Sequence, residues 1–521
     1  MAGKEGQVPK SGAREWLMVV LGSLMTFFFS FYFYGWASLQ ALLEEDGVYA
    51  EVCQVEDSVQ GSCAERTSRM ILLFTVCNLV TVLSLALLGL LVDRLGPARL
   101  SLVGGTFQAG GLLLLASTPS TPSTAMQAMH SPFDGYVLAF GFIGVGGAAL
   151  TVQAMKLPFV VPPRHFALVM TLLNCLVDSS SVAPLGLYRL YLAGLSRFSI
   201  FAGYGAACLL LSLCLAFCWW GRPEAILRAL NAEELRAAEP VEPVEPVQPA
   251  EPAEPVEPAK PAEQEVNLKA PEGPGTRPRL HGLTLWQQIW SLEFAVAAIF
   301  LTTQFFRSSA YLGINKDWLA SLGDDETENT FAQLFTGLLP ASTLLVPLFN
   351  LSFARGGFAF TFGLVMILGF VWGLVVLVPW LQLQVVAFSA FTVFRGLLFA
   401  VFFTFVGHSF GNRTFSKMTS ACFLLSAGMS WLIWPLADLS RSLTDGSDGF
   451  ALFNLFMLAL SLPSVFMTYL LAKHLRQYPA GDICVCPGPK TKAEGEAKEA
   501  NAAKGAKEPC ASWSTLEYAY F

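Results

Sequence analysis

Hydrophobic residues in this chain gather into long unbroken runs, separated by short polar stretches. The runs lie near 16–39, 70–92, 99–117, 135–155, 166–192 and 198–219. After a long polar gap they resume near 289–313, 331–350, 357–378, 382–406, 418–437 and 449–472. About 20 apolar residues carry a helix across a bilayer, so the pattern predicts twelve transmembrane helices in two sets of six. The runs are continuous rather than alternating, which excludes a membrane β-barrel. The run 166–192 is long enough to tilt or to extend past the bilayer. The expected architecture is an all-α integral membrane protein built as two pseudo-symmetric six-helix bundles. Its segments are an N-terminal tail (1–15), a first bundle (16–220), a linker (221–285), a second bundle (286–475) and a C-terminal tail (476–521).

The first run follows Lys4, Lys10 and Arg14 and is too long for a signal-peptide core, so it reads as a retained helix with a cytoplasmic N-terminus. Arg94, Arg99, Lys156, Arg164, Arg355, Arg413 and Lys417 then all fall on the cytoplasmic side, as the positive-inside rule asks. The opposite side carries Glu44-Glu45-Asp46 and Asp324-Asp325-Glu326. Both termini are expected in the cytosol, with the plasma membrane as the default location.

Composition narrows the function classes. Only 14% of the 521 residues are charged and 54% are hydrophobic, whereas soluble domains carry roughly 25% charged residues. A net charge of −7 offers no basic excess for nucleic acid. His130, His165, His281, His408 and His474 are dispersed in or near loops. No catalytic or metal-binding constellation emerges, so neither an enzyme nor a cofactor is expected. Cys53 and Cys63 share the first outside loop and are candidates for a disulfide. Residues 239–262 repeat Glu-Pro-Val and Glu-Pro-Ala. Proline at that density favours an extended polyproline spacer, and a proline-recognising partner is the alternative use. The terminal Tyr518-Ala519-Tyr520-Phe521 has the form of a sorting-adaptor signal.

Ionisable groups inside a bilayer are expensive and are functional candidates by default. Asp178 and Arg395 stand about halfway along the fifth and tenth runs, with opposite charges. Two readings stay open: a structural ion pair between the halves, or a substrate-contacting or gating pair. Asn174 lies four residues before Asp178, on the same helix face. Gln304, Arg307, Ser308 and Tyr311 form a polar stripe spaced i, i+3, i+4, i+7. That stripe is expected to face a water-filled cavity, with an arginine snorkelling at the outer end of its span as the alternative. Tyr34-Gly35-Trp36 is either an interfacial aromatic anchor or a helix break beside a substrate. The glycines of the third and fourth spans, among them Gly104, Gly111, Gly144 and Gly146, read as helix-packing surfaces.

The loop after the second span runs from Gly89 through Asp93-Arg94, Gly96 and Pro97 to Arg99. It resembles the signature loop of the major facilitator superfamily. A carboxylate at Asp93, beside the N-terminus of the eleventh span, would sit favourably at a positive dipole end. Gly89, Asp93, Arg94, Gly96 and Arg99 are therefore gate candidates on the cytoplasmic side. The corresponding loop of the second half, 352–357, is degenerate.

A narrower resemblance, to solute carrier family 43, covers Tyr34 to Leu39, Asn174 to Ser181 and the aromatic run that follows Arg395. It implies a facilitative alternating-access carrier of neutral amino acids, or of nucleobases. It implies as substrate contacts Tyr34, Gly35, Trp36, Asn174, Asp178, Ser179, Ser180 and Arg395, with Gln304, Arg307 and Tyr311 along the outer approach. A proton-coupled symporter and a non-transporting sensor or scaffold are the rival readings.

Overall fold

The computed structural model describes residues 13–53, 64–120, 135–161, 166–220, 280, 285–327, 329–410, 412–443 and 447–477. Most of the linker with its proline repeat, the C-terminal tail and Cys63 lie outside the described residues.

Apolar runs fold as helices here because a bilayer leaves each backbone polar group to find its partner within the segment. The first half comprises α1 (Ala13–Phe29), α2 (Trp36–Glu45), α3 (Ala64–Leu95), α4 (Pro97–Ser117), α5 (Gly135–Ala154), α6 (Phe166–Ser179), α7 (Ala183–Leu192) and α8 (Arg197–Trp219). The second comprises α9 (Leu285–Ile289), α10 (Leu292–Ser321), α11 (Thr330–Leu338), α12 (Val346–Val376), α13 (Gln384–Phe410), α14 (Asn412–Ser430), α15 (Ile433–Leu443), α16 (Ser447–Ala459) and α17 (Leu462–Gln477). Within α12 two helices meet at Gly357, whose φ of 67° interrupts the helical path where the degenerate loop was read.

Eleven helical stretches among the described residues are long and apolar enough to cross a membrane. The twelfth expected span lies in α10, where Gln304, Arg307, Ser308 and Ser309 dilute the hydrophobicity and are buried against protein instead. This 30-residue helix is about 45 Å long. Its last two turns therefore run past the span read at 289–313.

Several spans are broken rather than continuous. The first breaks at a 3-10 turn, Tyr32–Tyr34, and the fifth at another, Ser180–Val182, ahead of Pro184. The eighth breaks over Leu339–Leu345 beside Pro340. Proline fits the first turn of a new helical segment because its missing N–H has no intrahelical partner there.

Within the first half α4 packs against α5 and α8, and within the second α12 packs against α13. Most glycines of the third and fourth spans act as packing surfaces, Gly141 excepted: a Cβ on Gly111 would come within 2.8 Å of the Ala139 carbonyl, and one on Gly144 within 2.8 Å of the Cys77 carbonyl. The halves join where α3 packs on α14, and where α6 packs on the Leu339–Leu345 turn and on α13.

Candidate functional site

The breaks of the first and fifth spans meet at the centre. Gly35, between the 3-10 turn and α2, abuts the Ser181 carbonyl so closely that a Cβ there would overlap it. Tyr34 and Trp36 are buried in protein, 2% and 0% exposed, rather than set at an interface, and the helix breaks between them.

This junction seats Asp178 in the last turn of α6. A carboxylate at a helix C-terminus faces the negative end of the dipole and needs a compensating cation. Arg395 of α13 provides it, with Nε donating to Asp178 Oδ1 at 2.9 Å. Its Nη1 donates to Ser308 Oγ, and its guanidinium lies 4.2 Å from the centroid of the Tyr34 ring and 5.2 Å from that of Phe399. Asp178 Oδ2 and Arg395 Nη2 are buried with no hydrogen-bond partner. The pair thus leaves one acceptor and one donor unused.

The serines beside Asp178 are committed to local structure. Ser180 Oγ donates to the Val177 carbonyl at 2.6 Å, and Ser181 Oγ to the Asp178 carbonyl at 2.8 Å, filling acceptors that the helix end leaves free. Ser179 Oγ donates to the Cys175 carbonyl at 3.0 Å and lies 2.6 Å from Thr343 Oγ1 of the other half. These hydroxyl oxygens remain only as acceptors.

A cleft of about 820 Å³, including its open mouth, lies next to the pair. Phe31, Asn174, Val177, Phe305, Phe399 and Phe403 form much of its wall, and Gly89 and Val92 extend it toward the 93–99 loop. Asn174 Nδ2 donates to the Met170 carbonyl at 2.9 Å. A Cβ on Gly89 would meet Ser420 Oγ at 2.5 Å, so this glycine lets α3 approach α14 closely. Gly96, at φ 78°, turns the chain into α4, and Arg94 and Arg99 are exposed. The side chain of Asp93 lies outside the described residues.

The polar stripe of α10 does not behave as one face. Arg307 is 1% exposed, which rules out snorkelling. It points into the second bundle: Nη1 donates to Gln304 Oε1 at 2.7 Å, Nη2 to the Gly369 carbonyl at 3.0 Å, and Trp372 lies 5.1 Å from the guanidinium. Gln304 Nε2 lies 3.6 Å from Met366 Sδ, and the Tyr311 ring packs against Phe335, Trp372 and Phe391. Consecutive helical residues point about 100° apart. Ser308 therefore reaches Arg395 while Arg307 faces α12, and the expected placement of Gln304, Arg307 and Tyr311 along a water-filled approach is corrected.

The end opposite the 93–99 loop is closed by contacts that sequence reading missed. Ser38 Oγ donates to Thr336 Oγ1 at 3.2 Å, Gln40 Nε2 to Asp317 Oδ1 at 2.8 Å, and Lys316 Nζ lies 2.5 Å from Glu44 Oε2. Trp434 Nε1 donates to Ser68 Oγ at 3.1 Å. Their one sequence signal was the adjacent Lys316-Asp317 pair beyond the seventh span, opposite an acidic first loop. Cys53 is disulfide-bonded to a residue outside the described set.

Two half-bundles of membrane-spanning helices, with discontinuous helices at their junction, form the major facilitator fold in an integral multi-pass membrane protein. Solved structures share it: the nucleoside transporter NupG, 12% identical with a TM-score of 0.52, matches over 88% of this chain and 99% of its own. The human organic anion transporter MFSD10, 13% identical with a TM-score of 0.52, matches over 87% and 99%. No family model matches the chain. In sequence it resembles solute carrier family 43: the human large neutral amino acids transporter small subunit 3 is 29% identical over 211 residues, 39% of this chain and 36% of that protein. Arginine transporter 1 of Toxoplasma gondii is 28% identical over 215 residues, 40% of this chain and 38% of its own. These alignments thus span little more than a third of each relative.

Proposed function

We propose that this protein is a facilitative, alternating-access transporter of neutral amino acids. The observation that carries the reading is the pair of unused atoms at the centre: Asp178 Oδ2, an acceptor, and Arg395 Nη2, a donor, each left without a partner by the Nε–Oδ1 bond between the halves. An amino acid presents the complement, an ammonium donor and a carboxylate acceptor. The cleft wall of phenylalanines beside the pair suits an apolar side chain. Discontinuous helices meeting at a midplane site between repeats are the arrangement on which secondary carriers rock. The resemblance to a protein named as a large neutral amino acids transporter supports the same substrate class, and that to an arginine transporter supports amino acids more broadly.

Uniport is the mode of transport in this reading: Asp178 is engaged with Arg395 and is assigned to substrate rather than to a proton. Tyr34 and Asn174 shape the site, with Ser179 and Ser180 as acceptors on its rim, and Gly89 to Arg99 work at the cytoplasmic gate. The loop charges support cytoplasmic termini, and the plasma membrane is the location proposed. No catalytic step is assigned.

Uptake into liposomes carrying the purified full chain, with labelled leucine and labelled adenine in parallel and no ion gradient, tests the reading. Saturable leucine entry that stops at equilibrium is expected. Adenine entry instead would reassign the central donor and acceptor to a nucleobase edge. Entry of neither would leave a non-transporting sensor or scaffold as the better account.

A further inference from the structure

The closed end contains a second charged cluster. Gln40 and Glu44 of α2 meet Lys316 and Asp317 of α10 across the two halves. Gln40 Nε2 donates to both Glu44 Oε1 (2.7 Å) and Asp317 Oδ1 (2.8 Å), while Lys316 Nζ pairs with Glu44 Oε2. Asp317 is 8% exposed and Lys316 5%. Two carboxylates therefore share one ammonium in a buried seam. Asp317 Oδ2 and Gln40 Oε1 are both buried acceptors with no donor. The surroundings do not neutralise the excess negative charge. Asp325 adds another carboxylate on the Lys316 side. Arg441 of α15 acts on Asp317 but is held by Asp438 at 2.8 Å, and Arg66 of α3 donates to the carbonyls of Glu44 and Val48, so that neither bonds Asp317 Oδ2.

We infer that Asp317 is a proton-binding site of the outer gate, filled when α2 and α10 meet and emptied when they part. A proton on Oδ2 cancels the surplus charge and turns an orphan acceptor into a donor in a seam where Gln40 Oε1 also has no donor. Burial first, and the Glu44 carboxylate second, push the Asp317 carboxyl up to about 7 in the closed seam. Opening the seam to water returns it toward the ordinary carboxylate range near 4. A group whose affinity for protons is higher in the closed form stabilises that form at low pH. The effect is lost as pH rises through the closed-form value. Acid outside therefore favours the closed outer gate, and neutral to alkaline conditions release it. No proton crosses the membrane in this scheme, because the site faces the same side in both states.

The inference rests on the alternating-access reading but is read out without substrate or flux. Hydrogen–deuterium exchange of the full chain in lipid nanodiscs at about pH 6 and about pH 8, corrected for intrinsic rates, reports seam opening through residues 36–45 and 312–321. One proton taken up on closing lowers the open fraction roughly tenfold between those conditions. Asp317→Asn is expected to show the low-pH protection at both. Glu44→Gln is expected to move the transition to lower pH, since it removes the repulsion and frees Lys316 for Asp317. A pH-independent wild type, or an Asp317→Asn variant that keeps the pH response, overturns the inference. Should Asp317→Asn not fold, an unmoved transition in Glu44→Gln does so alone. A chain that transports nothing yet shows the tenfold response keeps the proton site and loses the carrier reading.

Discussion

Arg395 and Asp178, 217 residues apart in the chain, hold each other across the junction of the two halves with a 2.9 Å hydrogen bond, both side chains nearly sealed from solvent. Removing one member of such a pair leaves an uncompensated buried charge, which costs about 3–5 kcal/mol. Asp178→Asn is therefore expected to lower the thermal unfolding midpoint of the purified protein. The double variant Asp178→Asn/Arg395→Gln should regain more than half of the loss, because no lone charge remains, while leaving leucine flux abolished. Additive losses in the double variant would mean that the two side chains are not coupled.

Gly35 is where the breaks of the first and fifth spans touch. Gly35→Ala should destabilise by about 1–3 kcal/mol, the usual cost of overpacking, since its Cβ would press on the Ser181 carbonyl. Gly141→Ala is the matched control: nothing lies near that position, and alanine gains about 0.5–1 kcal/mol over glycine inside a helix. Melting curves of the two variants should move in opposite directions.

Arg307 supplies a charge with no carboxylate among its hydrogen-bond partners, Gln304 and the Gly369 carbonyl. Because it faces α12 rather than the cleft, Arg307→Met should leave the KM for the transported solute within about threefold, and it should unfold at the same temperature or higher, as apolar replacements of buried charged groups often do. A KM raised tenfold or more would place Arg307 in contact with substrate.

Phe403 stands in the wall of the cleft. Phe403→Trp narrows it and should reduce entry of phenylalanine more than that of valine, by roughly tenfold in relative kcat/KM, the scale at which an apolar pocket discriminates size. Equal effects on both solutes would mean that the side chain of the substrate points elsewhere.

Much of the architecture was legible in the chain, because a bilayer demands about 20 apolar residues per crossing. That requirement fixed the spans, and the cost of burying charge singled out Asp178 and Arg395. Even the discontinuity at Tyr34-Gly35-Trp36 was among the readings that the residues allowed. The polar stripe of α10 was legible as buried but not as to where it pointed. Helical spacing gives a direction around one axis, and only the neighbouring helices decide what lies there. Gly369 opened a place for Arg307 in the second bundle, while Ser308, one residue on, turned to Arg395.

The sequence by itself determined a helical membrane protein in two halves, with opposite charges at mid-span. It did so because hydrophobicity and ionisation are properties of single residues and short runs. Tertiary structure alone decided that the charges meet, that the serines beside Asp178 give their protons to a helix end, and that Gln40, Glu44, Lys316 and Asp317 form one buried cluster. Those outcomes depend on distances between groups as many as 277 positions apart, and such distances are set by how the helices pack.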